Sequence, residues 1–387
     1  MNEAPHQAAP TGAAAEITAL LAEAVALGVA PRLDAAWWRD GEIGSASSHT
    51  GAPALFDLAS LTKPLATGLC ALGLIAEGTI TLDAPLAHGE SVRQLLNHSA
   101  GYASWRPVFQ AALADAEARQ IFEAPPSPYG RATAFARSAQ LTWAAVEAER
   151  PRHSPGAHGA YSDLGMLVLQ RHLEQASGLR LAELFRTRVA EPLGLSLGFV
   201  DLRSSAPRPR ALPTGTERPR PLAPGQETAL AGGLARATIG EQPGEVDDDN
   251  AYALGGVAGH AGLFGTAAAV ALAGGRFLEE LAGAGRLAPA RLARHFCEPS
   301  GPPAANRALG WDRAAAVGSS LGTRLGRGPR GAIGHLGFTG VSLWLDLDRQ
   351  VALALCSNRV WFGRDNQLLR DFRPRFHDAV ARAFDLA

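Results

Sequence analysis

Apolar and polar positions change their spacing near the N-terminus. Over about 15–29 the apolar residues recur at helical spacing, and this pattern predicts a helix. From 33 to 39 the residues form a short apolar block that predicts a strand, and Asp40-Gly41 directly after it is a hairpin turn signal. The N-terminal part therefore predicts a helix followed by a strand that turns back on itself.

The C-terminal part has a similar pattern. Apolar runs at 341–346 and 351–356 predict two strands, and the polar residues 348–350 between them predict a turn. A helix is expected from about 374 to 384, where the chain ends. The predicted strands thus cluster at the two ends of the chain.

The middle of the chain predicts helices and loops. Helical spacing of apolar positions predicts helices at 61–77, 92–97, 133–148, 162–176 and 181–189. Further on, 204–250 is rich in Pro, Arg, Gly and Thr, and a glycine run spans 255–265. We expect 204–265 to be an ordered long loop, because apolar residues interrupt it.

Composition narrows the possible partners and compartment. The 387 residues include 47% apolar and 19% charged residues, and the formal net charge is -1, so neither nucleic acid nor an anionic membrane is an expected partner. The N-terminus lacks basic residues ahead of an apolar run, and the apolar run at 65–76 is shorter than the roughly 20 residues that cross a bilayer. A cytoplasmic location is therefore expected.

Lys63 is the only lysine among the 36 basic residues. In an arginine-rich chain a lysine that persists suggests chemistry, because an ammonium can lose its proton in a protein whereas a guanidinium cannot. Ser60 precedes it by three residues, which on a helix places the hydroxyl and the amine on one face. This spacing suits activation of a serine nucleophile by an amine, although Ser-x-x-Lys alone also occurs by chance.

Two further motifs have candidate chemistry. Tyr161-Ser162-Asp163 stands at the start of a predicted helix, and a phenol close to an amine can be held ionised and move a proton. The alternative is that Tyr161 is a core aromatic residue and that Ser162 or Asp163 is a helix N-cap. The third motif, 334–340, places glycines directly before a predicted strand, where backbone N–H groups can approach a substrate closely.

In this order, Ser60-x-x-Lys63, Tyr161-x-Asp163 and His335-x-Gly337 resemble the active-site motifs of the serine β-lactamase and penicillin-binding protein superfamily. The closer resemblance is to its class C β-lactamase-like branch, which includes esterases, D,D-peptidases and cell-wall amidases. Secondary matches lie at 56–63, 92–101, 191–195 and 254–264, and the resemblance covers about 50–365.

The resemblance implies an α/β fold in which both chain ends form an antiparallel sheet flanked by helices, with an inserted, mainly helical domain. Residues 1–14 are then a flexible N-terminus, 15–59 with 305–387 are the sheet domain, and 60–304 are the helical domain containing loop 204–265. The active site is expected between the two domains.

The resemblance also implies roles for individual residues. Ser60 resembles the acylated nucleophile, Lys63 and Tyr161 the proton-transfer pair, and the N–H groups of Ser60 and Phe338 the oxyanion hole. An acyl-enzyme is implied and no cofactor. The family's middle motif usually ends in Asn, so Asp163 would favour the charged form of Lys63 and shift the role of base toward Tyr161.

The third motif also departs from the family's pattern. β-Lactamases have Lys-Thr-Gly where this chain has His335, Leu336 and Gly337. Leucine lacks the hydroxyl that helps to hold a substrate carboxylate, and histidine is only partly charged at neutral pH. Recognition of penicillin or of D-Ala-D-Ala is therefore expected to be weak.

Rival motifs are less consistent with their surroundings. The segment 194–198 fits the Gly-x-Ser-x-Gly elbow around Ser196, but that elbow needs a strand before it and a helix after it. The glycine run lacks the Lys-Ser/Thr ending of a phosphate-binding loop. His153 and His158 have no further ligand at metal-binding spacing, so solvated loop histidines are expected rather than a metal site.

The resemblance places the loop before and within the glycine run at the rim of the active-site cleft. Asp249, Asn250 and His260 are therefore candidate substrate contacts, although an acidic run is usually a solvated face and His260 could merely cap the glycine turn. Arg359, directly after the last predicted strand, is likewise a candidate substrate contact, and the alternative is a solvated surface position.

These features predict a cytoplasmic serine hydrolase that cleaves an amide or ester bond through an acyl-enzyme on Ser60. The expected substrate is a small molecule or a muropeptide, such as a peptidoglycan fragment or a small carboxylic ester. The alternatives are a β-lactamase or D,D-carboxypeptidase, and a non-catalytic muropeptide-binding protein. The sequence leaves the oligomeric state and the acyl and leaving groups open.

Overall fold

The computed structural model describes residues 12–123, 132–214 and 242–384. In chain order the α-helices are α1 (Gly12–Ala26), α2 (Leu69–Ala76), α3 (Val92–Leu96), α4 (Gln110–Leu113), α5 (Gln120–Glu123), α6 (Ala132–Ala148), α7 (Asp163–Ser177), α8 (Leu181–Phe185), α9 (Glu191–Leu193), α10 (Asp249–Ala253), α11 (Ala267–Ala282), α12 (Ala290–His295) and α13 (Leu368–Ala383). Short 3₁₀-helices lie at Ala59–Leu61, Pro303–Ala305 and Arg359–Phe362, and π-helices lie at Lys63–Gly68 and Arg186–Ala190.

The strands form one large and two small sheets in the described residues. They are β1 (Leu33–Arg39), β2 (Glu42–Ser47), β3 (Phe56–Asp57), β4 (Gly198–Phe199), β5 (Arg210–Ala211), β6 (Gln242–Pro243), β7 (Leu263–Gly265), β8 (Asp312–Arg313), β9 (Ala332–Gly337), β10 (Val341–Asp346) and β11 (Val351–Ser357). The large sheet has the strand order β2-β1-β11-β10-β9-β8, and every pair of neighbouring strands in it is antiparallel. The predicted fold class, an antiparallel sheet made from both chain ends, is confirmed.

The two hairpins of this sheet form where the sequence predicts turns. Asp40 and Gly41 have φ values of 52° and 86°, as the turn between β1 and β2 requires. Gln350 has a φ of 54° in the turn between β10 and β11. Because β1 then pairs along its whole length with β11, from Leu33 opposite Ser357 to Arg39 opposite Val351, the two chain ends share one sheet.

Helices cover both faces of the large sheet. On one face, buried residues of α1 and α13 pack against the sheet around Trp344. On the other face α11 packs closely on β1 and β11, and two glycines make this close packing possible. A Cβ at Gly274 would lie 2.8 Å from Ala352 of β11, and a Cβ at Gly275 would lie 2.3 Å from Trp38 of β1. One helix of the predicted helical segment 60–304 thus packs on the sheet, and the division into two domains stays a prediction.

Both terminal helices begin earlier than predicted. α13 starts at Leu368 and includes Pro374, although Pro lacks the N–H of a helix hydrogen bond. Phe372 and Phe376 on either side of it are buried, so their packing outweighs that loss. At the other end Gly12 already belongs to α1, which corrects the predicted flexible segment for residues 12–14; residues 1–11 lie outside the described part.

The predicted helix at 61–77 is a sequence of 3₁₀-, π- and α-helical turns. The stretch Ala59–Ala76 is long and apolar enough to cross a membrane by length and composition alone, yet 83% of it is buried inside the fold. Such burial is what the core helix of a globular domain shows. Within the predicted loop 204–265, residues 215–241 lie outside the described part, and the remainder contains β5, β6, α10 and β7.

Candidate active site

A sharp bend in the backbone presents Ser60. Ala59 just before it has a φ of 44°, which is uncommon for a residue with a Cβ, and its N–H donates to the Asp57 carboxylate at 2.8 Å. The chain then enters the 3₁₀-helix of Ser60 and the π-helix that begins at Lys63. In this tight turn the Lys63 Nζ donates to the Ser60 Oγ at 2.9 Å, so the predicted neighbourhood of hydroxyl and amine is present.

The ammonium of Lys63 is fully buried and has three oxygen partners. Besides Ser60, its Nζ lies 2.8 Å from the Asp163 Oδ1 and donates to the backbone carbonyl of His260 at 3.0 Å. An ammonium has three protons, so this set matches its donors. Burial lowers the pKa of Lys63, but the neighbouring Asp163 and Tyr161 outweigh burial and the net pKa is raised.

Tyr161 also contacts the Ser60 hydroxyl. Its hydroxyl donates to the Ser60 Oγ at 2.8 Å, and the Lys63 Nζ lies 4.8 Å from the centre of its ring. Burial and Asp163 raise the pKa of Tyr161, whereas Lys63 lowers it, and the net pKa is raised. The phenol is therefore neutral at rest beside a charged lysine.

The start of α7 holds Tyr161 and Asp163 in place. Ser162 is the N-cap of α7, because its hydroxyl accepts from the Gly165 N–H at 2.9 Å and donates to the Ala103 carbonyl at 2.7 Å. The N-cap alternative of the sequence analysis thus holds for Ser162, while Tyr161 still contacts Ser60. Asp163 is the first residue of α7, where the helix dipole stabilises a carboxylate.

His98 supports Tyr161, although nothing in the sequence marks it as a site residue. Its ring centre lies 4.8 Å from that of Tyr161, and its Nδ1 accepts the backbone N–H of Ser162 at 3.1 Å. Burial, with the charges of Arg307 and Lys63, keeps the pKa of His98 well below its ordinary value, so the ring is neutral. The segment 92–101 resembles the family's pattern, but the φ of 60° at His98 has no signature in the sequence.

The third motif forms the end of β9 and the turn after it. Gly337 allows β9 to approach the segment that leads to Ser60, because a Cβ there would lie 2.3 Å from Val341 and 2.8 Å from the Leu58 carbonyl. His335 faces the site with its ring centre 5.9 Å from that of Tyr161. Its Nδ1 donates to the Leu336 carbonyl at 2.8 Å, and burial lowers its pKa, so it is neutral.

Leu336 and Phe338 flank Gly337 in this motif. Leu336 is partly buried and lines a cavity of about 770 Å³ together with Arg359 and Arg373; Ser60 is not part of its lining. Phe338 is 41% exposed, and the guanidinium groups of Arg359 and Arg364 lie 5.0 and 4.4 Å from its ring centre. Arg359 thus stands at this turn, and it also donates to the Asn366 carbonyl at 2.9 Å.

The predicted rim residues of the glycine loop are buried. The Asn250 side chain accepts from the Phe109 N–H at 3.0 Å and donates to the Arg106 carbonyl at 2.8 Å, so it is committed to the backbone of another loop. Asp249 is only 6% exposed at the start of α10. The family resemblance implied that these residues lie at the rim of the cleft, but their burial depends on tertiary packing that local sequence does not reveal.

His260 takes part in the site through its backbone rather than through its ring. Its Nε2 lies 2.9 Å from the Asp248 carboxylate; the His260 side chain is buried and that of Asp248 is partly exposed. Burial raises the pKa of Asp248, but His260 and the Ala251 N–H outweigh it and hold that pKa far below its ordinary value. The pair fixes the loop whose carbonyl binds Lys63.

Arg307 is a further neighbour of Tyr161 that the sequence does not reveal. Its guanidinium lies 5.3 Å from the centre of the Tyr161 ring and forms an ion pair with Asp312. In so arginine-rich a chain, nothing distinguishes one arginine from the others.

Among the described residues, no group of three or more His, Cys, Asp or Glu side chains is arranged to hold a metal ion.

The rival elbow around Ser196 has the wrong local structure. Gly194 has a φ of 65° and ends α9, and the two residues of β4 follow at 198–199. A helix therefore precedes this serine and a strand follows it, the reverse of the order that a nucleophile elbow needs.

Solved structures with the same fold include several hydrolases. D-amino acid amidase from Ochrobactrum anthropi matches with a TM-score of 0.63 and 17% identity, over 97% of this chain and 99% of that one. EstCE1, a hydrolase with promiscuous acyltransferase activity, matches with a TM-score of 0.60 and 19% identity, over 94% and 98%. A beta-lactamase from Mycobacterium bovis matches with a TM-score of 0.55 and 20% identity, over 93% and 98%. At these identities the likeness shows a common fold.

A search of curated proteins found no match to this chain. The profile of the Beta-lactamase family matches residues 14–373, which is most of the chain and includes the motifs at Ser60, Tyr161 and His335. The chain therefore belongs to the beta-lactamase family.

Proposed function

We propose that the protein is a serine hydrolase that cleaves an ester or amide bond through an acyl-enzyme on Ser60. One observation supports this most: the Ser60 Oγ receives hydrogen bonds from Lys63 at 2.9 Å and from Tyr161 at 2.8 Å. Two titratable groups from distant segments thus meet at one hydroxyl, as a nucleophile and its proton acceptor must. The hydrolases among the structural neighbours are consistent with this function.

The proposed reaction has two halves. Ser60 Oγ attacks the carbonyl carbon while its proton passes to the Lys63–Tyr161 pair, which then returns a proton to the departing alcohol or amine. Water next attacks the acyl ester, loses a proton to the same pair, and Ser60 leaves with a proton. The N–H groups of Ser60 and Phe338 stabilise the oxyanion in both halves. These side chains supply each step, so no cofactor is required.

The protonation state of the pair controls this reaction. With Lys63 charged and Tyr161 neutral, both donate to Ser60 and neither can accept its proton. The reactive form is therefore the one in which the pair has lost one proton, and its macroscopic pKa belongs to both groups. The expected transfer of the base role to Tyr161 thus becomes a shared role, because the pKa of Tyr161 is raised as well as that of Lys63.

The substrate is proposed to be a small carboxylic ester or amide, or a muropeptide, met in the cytoplasm without nucleic acid or membrane as partner. A β-lactamase or D,D-carboxypeptidase is the second candidate, and family membership favours it. Leu336 and a neutral His335 argue against that candidate, because neither supplies a charged or hydroxyl donor to a carboxylate. A non-catalytic muropeptide-binding protein would have no use for the buried contacts of Lys63.

Covalent labelling tests the nucleophile. A fluorophosphonate should add one label to the wild type, on a peptide that contains Ser60, because only an activated serine reacts readily with this reagent. Ser60→Ala should lose the label and at least about a thousandfold in kcat. Ser196→Ala is the matched control and should keep both. Intact-mass and peptide mass spectra show which serine is labelled. If the label disappears in the Ser196 variant instead, Ser196 rather than Ser60 is the nucleophile.

The pH dependence tests the protonation argument. Asp163 raises the pKa of both Lys63 and Tyr161, so Asp163→Asn should lower the macroscopic pKa of the pair. The rise of kcat/KM with pH should then have its midpoint at lower pH in this variant than in the wild type. Asp201→Asn, which alters a surface carboxylate paired with Arg203, is the control and should leave the midpoint unchanged. A midpoint that stays in place or moves upward in Asp163→Asn contradicts the argument.

Substrate preference tests the reading of the third motif. The wild type should hydrolyse a short-chain aryl ester far better than penicillin, since a missing charge-assisted hydrogen bond costs about 1.5–3 kcal/mol, or roughly ten- to a hundredfold in kcat/KM. Leu336→Thr should narrow this gap. Leu336→Val, which has the shape of threonine without the hydroxyl, should not. Equal efficiency of the wild type on both substrates would mean that the carboxylate is bound elsewhere.

A further inference from the structure

The two proposed oxyanion donors come from segments that lie far apart in the chain. Ser60 follows the bend at Ala59, and Phe338 lies in the turn between β9 and β10. An oxyanion hole works when its donors are fixed before the charge develops, with each donor about 2.7–3.1 Å from the oxygen. A bond that joins these two segments directly would therefore fix the width of the hole.

Thr339 supplies such a bond. Its side chain is fully buried, and its hydroxyl donates to the backbone carbonyl of Asp57 at 2.8 Å. The carboxylate of the same Asp57 accepts the N–H of Ala59 at 2.8 Å and so stabilises the strained bend before Ser60. One residue next to Phe338 is thus tied to the residue that shapes the nucleophile turn.

The turn that contains Phe338 has other attachments that do not involve the nucleophile segment. The Ser357 hydroxyl donates to the Gly340 carbonyl at 2.9 Å, and the Arg359 N–H donates to the Thr339 carbonyl at 3.1 Å. Arg373 donates to the Val341 carbonyl at 3.2 Å. Because these bonds keep the turn folded, removing the Thr339 hydroxyl should release the turn from the nucleophile segment without unfolding it.

We propose that Thr339 is a positioning residue of the oxyanion hole, which couples the Phe338 amide to the Ser60 turn through the Asp57 carbonyl. This inference rests on the proposed function, in which these amides stabilise the oxyanion. The hydroxyl itself does not touch the substrate. Its loss should therefore weaken the binding of the tetrahedral transition state and leave the binding of the planar ground state unchanged.

Thr339→Val is the direct test, because valine keeps the shape and the β-branch and loses only the hydroxyl. On an aryl ester its kcat should fall about tenfold, less than the hundredfold or more that loss of an oxyanion donor costs, with KM unchanged. Its affinity for an aryl boronic acid should fall by a similar factor. That reagent adds to the Ser60 Oγ as a tetrahedral anion while the serine proton passes to the catalytic pair. Inhibition by the carboxylic acid product, a planar ligand, should stay the same.

Ser138→Ala is the matched control. Its hydroxyl is buried and donates at 2.8 Å to the Ala253 carbonyl, a bond of the same kind between distant segments away from Ser60. Both variants should lose thermal stability, whereas only Thr339→Val should lose kcat and boronate affinity. Thr339→Ser, which keeps a hydroxyl, should retain most of the wild-type kcat and boronate affinity. If the valine variant folds poorly, Thr339→Ala should show the same loss of kcat and boronate affinity in its place.

The proposal is overturned if Thr339→Val keeps the kcat and boronate affinity of the wild type, or if Ser138→Ala loses them equally. Failure of the proposed function itself would look different. In that case the wild type would form no boronate adduct and would hydrolyse no ester, whatever residue stands at position 339.

Discussion

The buried charge of Lys63 is the interaction on which the site depends. Moving an ammonium out of water costs several kcal/mol even after relaxation, so it persists in a protein interior only with a counter-charge and full hydrogen bonding. Asp163 supplies the counter-charge at 2.8 Å, and the Ser60 hydroxyl and the His260 carbonyl complete the set. Three separate segments must therefore meet around one side chain.

Each of these segments has its own means of support. The bend at Ala59 is held by Asp57, α7 is capped by Ser162, and the loop of His260 is fixed by the contact of the His260 ring with Asp248. The large sheet adds the fourth side, since Gly337 lets β9 come within contact of Leu58. The fold thus orders the site before any substrate arrives, which is what electrostatic stabilisation of a transition state requires.

Local sequence predicted the parts of the structure that local forces determine. The strands at both ends, the turns at Asp40-Gly41 and 348–350, and the helix after Tyr161 follow from apolar spacing and turn residues. The π-helix at Lys63–Gly68 and the positive φ of His98 did not, because tertiary packing stabilises them. The contact of Arg307 with Tyr161 and the burial of Asn250 were missed for the same reason.

The central claim is that the Lys63–Tyr161 pair must give up a proton before it can react, so that a permanent positive charge at position 63 cannot replace the lysine. The most direct measurement is the kcat/KM of Lys63→Arg on an aryl ester across the pH range, with Lys63→Met as an uncharged comparison and circular dichroism to show that each variant is folded. We expect kcat/KM to fall at least about a thousandfold in both variants. The kcat/KM of Lys63→Arg should not recover at alkaline pH, because guanidinium keeps its proton there. A folded Lys63→Arg protein that retained most of the wild-type activity would contradict the claim.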